Sequence, residues 1–275
     1  MTLFEAYQEG LKLLKNPQKD EINIRILLCE NNNLKSMSDF YLHKNENIKD
    51  LQRFNRDLQR FLSGEPVQYI IEKASFFGDD FIVSKDVLIP RNETEEVVDY
   101  AIKKIEKKFG AKNILISDVC TGSGCIGCEL FLHSNVDHVF FSDISDKAIA
   151  IAKQNSEKLD VKGSFYVADG LDYLDQSVDV VISNPPYILK KEDVDQSVLN
   201  FEPHLALFAD EDLTIYRKIT KKAVQLGVPL IIFEIGYDIK EKLEKIFKEI
   251  APNYALEFKK DINDKFRICS LSKID

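Results

Sequence analysis

A chain of 275 residues with 44% hydrophobic content is long for one domain, comfortable for two, and rich enough in apolar side chains for a real core. Its net charge of −9, with the acidic excess mostly in the second half, argues against a duplex-DNA binder, which carries a basic face. The amino terminus lacks the charged-then-apolar order of a secretory leader, no apolar stretch approaches the roughly 18 residues of a membrane span, and five cysteines in apolar or glycine-rich surroundings fit free thiols of a reduced cytoplasmic protein.

Leu3, Tyr7, Leu11 and Leu14 form an apolar stripe at helical spacing. Asn31-Asn32-Asn33 reads as a loop. Asp50 caps a second stripe, Leu51, Phe54, Leu58, Phe61 and Leu62, which Gly64 and Pro66 bring to a stop. Residues 1–65 carry ten basic and ten acidic residues and are therefore neutral; with the segment that follows they predict a helical domain over 1–73. Residues 74–90 change character. Phe76 to Val83 and Val87 to Pro90 read as strands broken by glycine and aspartate turns, a β-hairpin linker. Over 91–275 helices alternate with strands, the strands expected near 114–119, 138–142, 164–168, 178–183, 229–235, 255–259 and 266–271, and helices at 146–160 and 239–249. That alternation predicts an α/β fold with a parallel sheet covered on both faces.

Ile114 to Val119, the first strand of this series, runs into Cys120-Thr121-Gly122-Ser123-Gly124. Glycines there permit a tight turn and close approach of a ligand to the backbone, and the helix that follows presents unpaired N–H groups. The next strand ends at Asp143, 21 residues after Gly122, where a carboxylate can accept hydrogen bonds from both hydroxyls of a ribose. Asp169 ends the third strand, where an adenine edge could be read, and Gly170 leaves room for the ring. Two other readings share this stretch. Gly122 to Gly127 matches G-x-G-x-x-G, so a nicotinamide dehydrogenase competes. Cys120, Cys125 and Cys128, with Cys269 far downstream, match a ferredoxin spacing, but cysteine is also a natural small residue in a strand–helix turn.

Asn184-Pro185-Pro186-Tyr187 follows the apolar run Val178 to Ser183, at the carboxyl end of a buried strand, where open α/β sheets bind ligands. Asn offers an acceptor and two donors on a short stem. Two prolines stiffen the turn, and Tyr adds a flat face. Such a corner suits a planar NH2 group. The nitrogen of an amide or exocyclic amine is a poor nucleophile, because its lone pair is delocalised. Acceptors on its N–H bonds, the Asn184 side-chain oxygen and the Pro185 carbonyl, would orient it before an in-line methyl donor, and orientation of this kind can supply roughly 7–11 kcal/mol. No strong base is then required before transfer. The alternative is an ordinary Asn-Pro turn.

The chain resembles the bacterial peptide chain release factor N5-glutamine methyltransferases. The resemblance covers nearly the whole chain and rests on Gly64 to Ile70, Phe76-Phe77-Gly78, Val87 to Glu95, Asp118 to Gly124, Asn184 to Ile188, Phe201-Glu202-Pro203, Glu234-Ile235-Gly236 and Asp264 to Arg267. It implies a Rossmann-like seven-stranded class I methyltransferase sheet over 91–275, a small helical substrate-binding domain over 1–73 and a β-hairpin linker over 74–90. It also implies methyl transfer from S-adenosylmethionine, with S-adenosylhomocysteine as product, to the Gln side-chain amide of the Gly-Gly-Gln motif in class 1 release factors. Asn184, Pro185, Pro186 and Tyr187 then hold substrate and carry catalysis. Asp118, Cys120, Thr121, Gly122, Ser123, Gly124, Asp143, Asp169, Gly170 and Asn184 hold the cofactor, with Asp118 either orienting the loop or reaching the methionine amino group. Arg91, Glu93 and Thr94 form a lid edge, or Asn92 and Glu95 a helix cap, and Glu202-Pro203 braces a loop. Cys120 stands where the family usually has Gly, Asn92 where it has Pro, and Gly170 where an aromatic is frequent. The expected partner is a release factor, met by a monomer in the cytoplasm, with no nucleic acid and no membrane. His43, His133, His138 and His204 show no ligand spacing, so no metal is expected. A DNA adenine-N6 methyltransferase, a dehydrogenase and a non-catalytic module remain the competing readings.

Overall fold

The computed structural model describes residues 1–274, with Lys19 and Asp193 by backbone only. The chain divides into two compact units, Met1–Lys73 and Ala74–Asp275.

The first unit is helical: α1 (Leu3–Leu13), α2 (Pro17–Asn32), α3 (Met37–His43), α4 (Leu51–Leu62) and α5 (Val67–Ile71). Thr2 opens α1 with a capping box, its side chain accepting the Glu5 N–H while Glu5 accepts the Thr2 N–H. Asp50 accepts the Arg53 N–H at 2.8 Å to cap α4. The apolar stripes converge on a core containing Leu3, Leu27, Leu28, Phe40, Phe54 and Leu58. One expectation fails here. Asn31 and Asn32 are buried in the last turn of α2, and only Asn33 leaves the helix, as its left-handed C-cap. Partners explain the difference: Asn31 Nδ2 donates to Leu27 O and to Asp57, and Asn32 donates to Leu28 O while accepting the Lys49 N–H.

The hairpin strands β1 (Lys73–Phe76) and β2 (Asp79–Ile82) turn at Phe77 and Gly78, which both have positive φ. The remainder runs α6 (Asn92–Phe109), β3 (Ile114–Val119), α7 (Cys125–His133), β4 (Val136–Asp143), α8 (Asp146–Lys158), β5 (Gly163–Val167), β6 (Val180–Ser183), α9 (Gln196–Phe201), α10 (His204–Leu207), α11 (Thr214–Gln225), β7 (Leu230–Glu234), α12 (Lys240–Ile250), β8 (Tyr254–Lys260) and β9 (Phe266–Lys273). The seven-stranded sheet has the order β5-β4-β3-β6-β7-β9-β8. Five strands are parallel, as their alternation with helices predicts. The parallel order that the alternation argues ends with the last strand of the chain, where β9 runs antiparallel to both β7 and β8. Only residues 261–265 separate β8 from β9, too few for the crossover a parallel pair needs.

One apolar core on the sheet holds Val97, Ile105, Ile116, Leu130 and Phe141, and a second holds Tyr216, Ile219, Phe233, Leu243 and Phe247. Strand order reverses between β3 and β6, so the crevice at their carboxyl ends is the topological switch point. The expected Asn92–Glu95 cap does not form. Arg91 is the N-cap of α6 without a side-chain bond, and Glu95 instead accepts the Phe77 N–H at 2.8 Å, in the hairpin turn.

Candidate active site

A cavity of about 240 Å³ opens at the switch point. Its floor is the loop after β3. Cys120 and Gly122 have φ values of 57° and 54°, and Gly124, the N-cap of α7, has 80°. These left-handed turns let Cys120, Thr121, Gly122 and Ser123 line the cavity, next to the amino-terminal end of α7. Asp118 lies outside the cavity, fully buried beneath the loop. Its Oδ2 accepts the Thr121 hydroxyl at 2.6 Å and the Gly127 N–H at 3.0 Å, which places it among the loop's supports. Burial pushes its pKa up to about 7. Gly124 is likewise not in the lining; a Cβ there would stand 3.1 Å from that of Ala152.

Asp143 lines the cavity at the end of β4. Its Oδ2 accepts the Gly122 N–H and its Oδ1 the Ser145 N–H, each at 3.0 Å, so the carboxylate is fixed with lone pairs to spare. Burial raises its pKa, and the backbone N–H groups oppose that rise. Asp169 and Gly170 sit on the same wall; Asp169 is paired with Lys218 at 2.7 Å, and Gly170 takes φ 63°. Ile144, which sequence reasoning passed over, is 54% exposed beside Asp143 and lines the cavity. Its position directly after the acidic residue was the available signal.

The corner after β6 divides. Asn184 and Pro186 face the cavity, whereas Pro185 and Tyr187 do not line it. Among the described residues, the Asn184 side-chain amide makes no hydrogen bond, so all its donors and acceptors remain for a ligand. Pro185 O stands 3.4 Å from the Tyr216 hydroxyl, which bonds more closely to Glu234 O at 3.0 Å. Tyr187 lies behind, its hydroxyl 3.4 Å from Arg267 Nη1 and its ring against Gly236, where a Cβ would stand 3.0 Å from the ring. Burial raises the Tyr187 pKa.

Behind the corner sits a polar group that sequence reasoning noticed only as part of a motif. Glu234 is 1% exposed at the end of β7 and accepts the Thr94 hydroxyl at 2.7 Å. Burial pushes it to about 7, against the pull of Thr94, Arg267 and Tyr187. Thr94 and Arg91 line the cavity too. Arg91 pairs with Glu202 at 2.5 Å, and Glu202 also accepts the Ile89 N–H at 3.3 Å, so Glu202 ties the segment before α6 to the turn between α9 and α10. Asn155, fully buried on α8, was missed altogether. It exchanges two hydrogen bonds with the Ile82 backbone, at 2.7 and 2.9 Å, and donates to Ser123 O at 2.9 Å, joining the hairpin to the glycine-rich loop.

A seven-stranded sheet whose last strand is antiparallel, with a glycine loop, an acid at the end of the second sheet strand and an Asn-Pro-Pro-Tyr corner at its fourth, has the architecture of a class I methyltransferase. Comparison with known proteins gives the same class. Residues 95–202 match the methyltransferase small domain model and residues 5–71 the PrmC N-terminal domain model. The chain is 35% identical to the release factor glutamine methyltransferase of Bacillus subtilis, covering 98% of both chains, and 40% identical to that of Flavobacterium psychrophilum, covering 81% of both. The hMettl16 catalytic domain, solved with an RNA hairpin, shares the fold alone, with a TM-score of 0.59, 15% identity and 92% of both chains covered. The chain belongs to the release factor glutamine methyltransferase family.

Proposed function

We propose that this chain transfers a methyl group from S-adenosylmethionine to the side-chain amide nitrogen (N5) of the Gln in the Gly-Gly-Gln motif of class 1 peptide chain release factors. The observation that carries the reading is the free Asn184 amide at the mouth of the cavity that Gly122 and Asp143 also line. The residues present fit the cofactor. Asp143 has lone pairs left for ribose hydroxyls, and Ile144 offers an apolar face for the adenine, with Asp169 and Gly170 along its edge. Thr121 to Ser123 take the methionine end, held in shape by Asp118. When bound, the cofactor supplies an electrophilic methyl on a sulfonium.

The chain's own residues do the rest. The Asn184 side-chain oxygen accepts an N–H of the substrate amide, and its NH2 donates to an acceptor alongside. Pro186 closes the other side. Pro185 and Tyr187 act through the shape of the corner, with Tyr216, Glu234 and Arg267 behind them. Val87, Leu88, Pro90 and Leu205 give the cavity apolar walls that keep water from the reacting nitrogen. Residues 1–73 grip the body of the release factor, and the enzyme works as a monomer in the cytoplasm.

Mass spectrometry of a release factor incubated with enzyme and methyl donor tests this. One added methyl on the Gly-Gly-Gln peptide is expected. Asn184→Ala should lower the rate by at least about 10²-fold through lost orientation, with cofactor affinity changed by only a few-fold. Methyl transfer to DNA instead, or full activity in Asn184→Ala, would sink the proposal.

A further inference from the structure

A second cluster lies away from the cavity, where the hairpin meets the carboxyl half of α7. Asp79 on β2 and Glu129 and His133 on α7 bring one ligand atom each within 4.8 Å of one another. Glu129 and His133 are one helical turn apart and share a face. Glu129 is 0% exposed, and neither of its oxygens has a hydrogen-bond partner among the described residues. His133 Nε2 stands 3.2 Å from Oε2 but out of hydrogen-bond alignment. The His133 ring is held edge-on against Phe77, centroids 5.2 Å apart. Glu95, bonded to the Phe77 N–H, adds a further negative charge nearby.

A carboxylate buried without donors is costly unless a cation or a proton compensates it. Here one imidazole nitrogen and one further carboxylate converge on it. We propose that Asp79, Glu129 and His133 form a site for a divalent metal of the zinc class, clipping the hairpin to α7. The donor set favours zinc, cobalt or nickel over magnesium, because an imidazole nitrogen suits borderline metals and magnesium prefers oxygen alone. Ligands about 2.0–2.2 Å from a tetrahedral metal lie roughly 3.5 Å apart. The Glu129–His133 pair already stands at 3.2 Å, and Asp79 needs only a small side-chain adjustment. His133 is exposed and Asp79 half-buried, so the fourth position opens to solvent. The i, i+4 acid–histidine pair is legible in the sequence once Glu129 is counted beside His133. A search for histidines spaced against one another overlooks it, and the expectation of no metal site is the one this proposal revises.

The full chain, stripped of metal with a chelator and dialysed, is titrated with Co2+ and Zn2+. One metal per chain is expected, with a Co2+ visible spectrum lacking strong sulfur-to-metal charge transfer, since the ligands are O and N. Zn2+ should raise the melting temperature and Mg2+ should not. His133→Ala and Asp79→Asn should each weaken binding by at least the roughly 10–100-fold that loss of even a supporting partner costs, without changing methyl transfer measured in the presence of chelator. Glu129→Gln should abolish binding while leaving the metal-free protein folded. Absence of binding to the metal-free chain, equal binding by the His133 and Asp79 variants, or a thiolate spectrum would overturn the proposal.

Discussion

Cys120 takes a left-handed backbone, φ 57°, at the entrance to the cofactor loop. A side chain in that conformation costs about 1–2 kcal/mol that glycine avoids. At ordinary positions Ala is favoured over Gly, because glycine has more freedom to lose on folding. At position 120 the order should invert: Cys120→Gly should be more stable than Cys120→Ala by about 1 kcal/mol, read from urea midpoints at unchanged slope. If Ala matched or exceeded Gly, the left-handed geometry would not be a real constraint there. The comparison removes the thiol from both variants, so lost sulfur packing largely cancels. The sequence marked this position through its departure from the family's usual glycine, but it could not give the sign of φ.

At the scale of elements, Asn155 holds three pieces together: α8, on which it sits, the β2 backbone and the glycine-rich loop. Asn155→Ala leaves the Ile82 N–H and C=O and the Ser123 carbonyl without these partners. It should cost about 2–4 kcal/mol by chemical denaturation, since each buried group left unpaired carries its own penalty. S-adenosylmethionine affinity, measured by calorimetry, should fall as well, because Ser123 loses its anchor. A change under about 0.5 kcal/mol, the ordinary range of a neutral surface substitution, would mean that the hairpin and loop are fixed by other contacts. This residue also shows where sequence reasoning stops. The strands, the Asp143 position and the Asn184 corner are legible because each follows from local pattern or a fixed spacing. Asn155 reads as one more polar residue on a surface helix, and its value depends on backbone groups 73 and 32 positions away. Thr94 and Glu234, 140 positions apart, are hidden for the same reason. The antiparallel β9 was legible in principle from the short gap before it, and was overridden by the regular alternation that precedes it.

For the molecule as a whole, burial of acids sets how stability responds to pH. Glu234 rises from 4.5 to about 7 in the folded chain and Asp118 from 3.8 to about 7, both chiefly by desolvation. An acid with a raised folded pKa binds its proton more tightly when folded than when unfolded. Its contribution is therefore fully present below the unfolded pKa and is lost as pH rises through about 7. Glu234→Gln cannot titrate, so it should flatten part of the fall in unfolding free energy between pH 5 and pH 8, while Asp118, Asp143 and Glu129, also raised by burial, contribute to the slope that remains. Urea unfolding of both proteins at the two pH values gives the answer. Parallel pH dependences would show that Glu234 titrates alike in the folded and unfolded states.

The five cysteines are all free, and each has its pKa raised, Cys125 to about 12, with burial the largest cause throughout. A buried thiol that stays protonated is a slow nucleophile, so at Cys29, Cys128 and Cys269, which are buried away from the cavity, alkylating reagents must wait for the chain to open. Cys29 belongs to one compact unit and the other four to the second. Modification kinetics resolved by peptide would thus act as two clocks in one tube, timing the opening of each half separately. Cofactor should slow the second clock and leave the first unchanged.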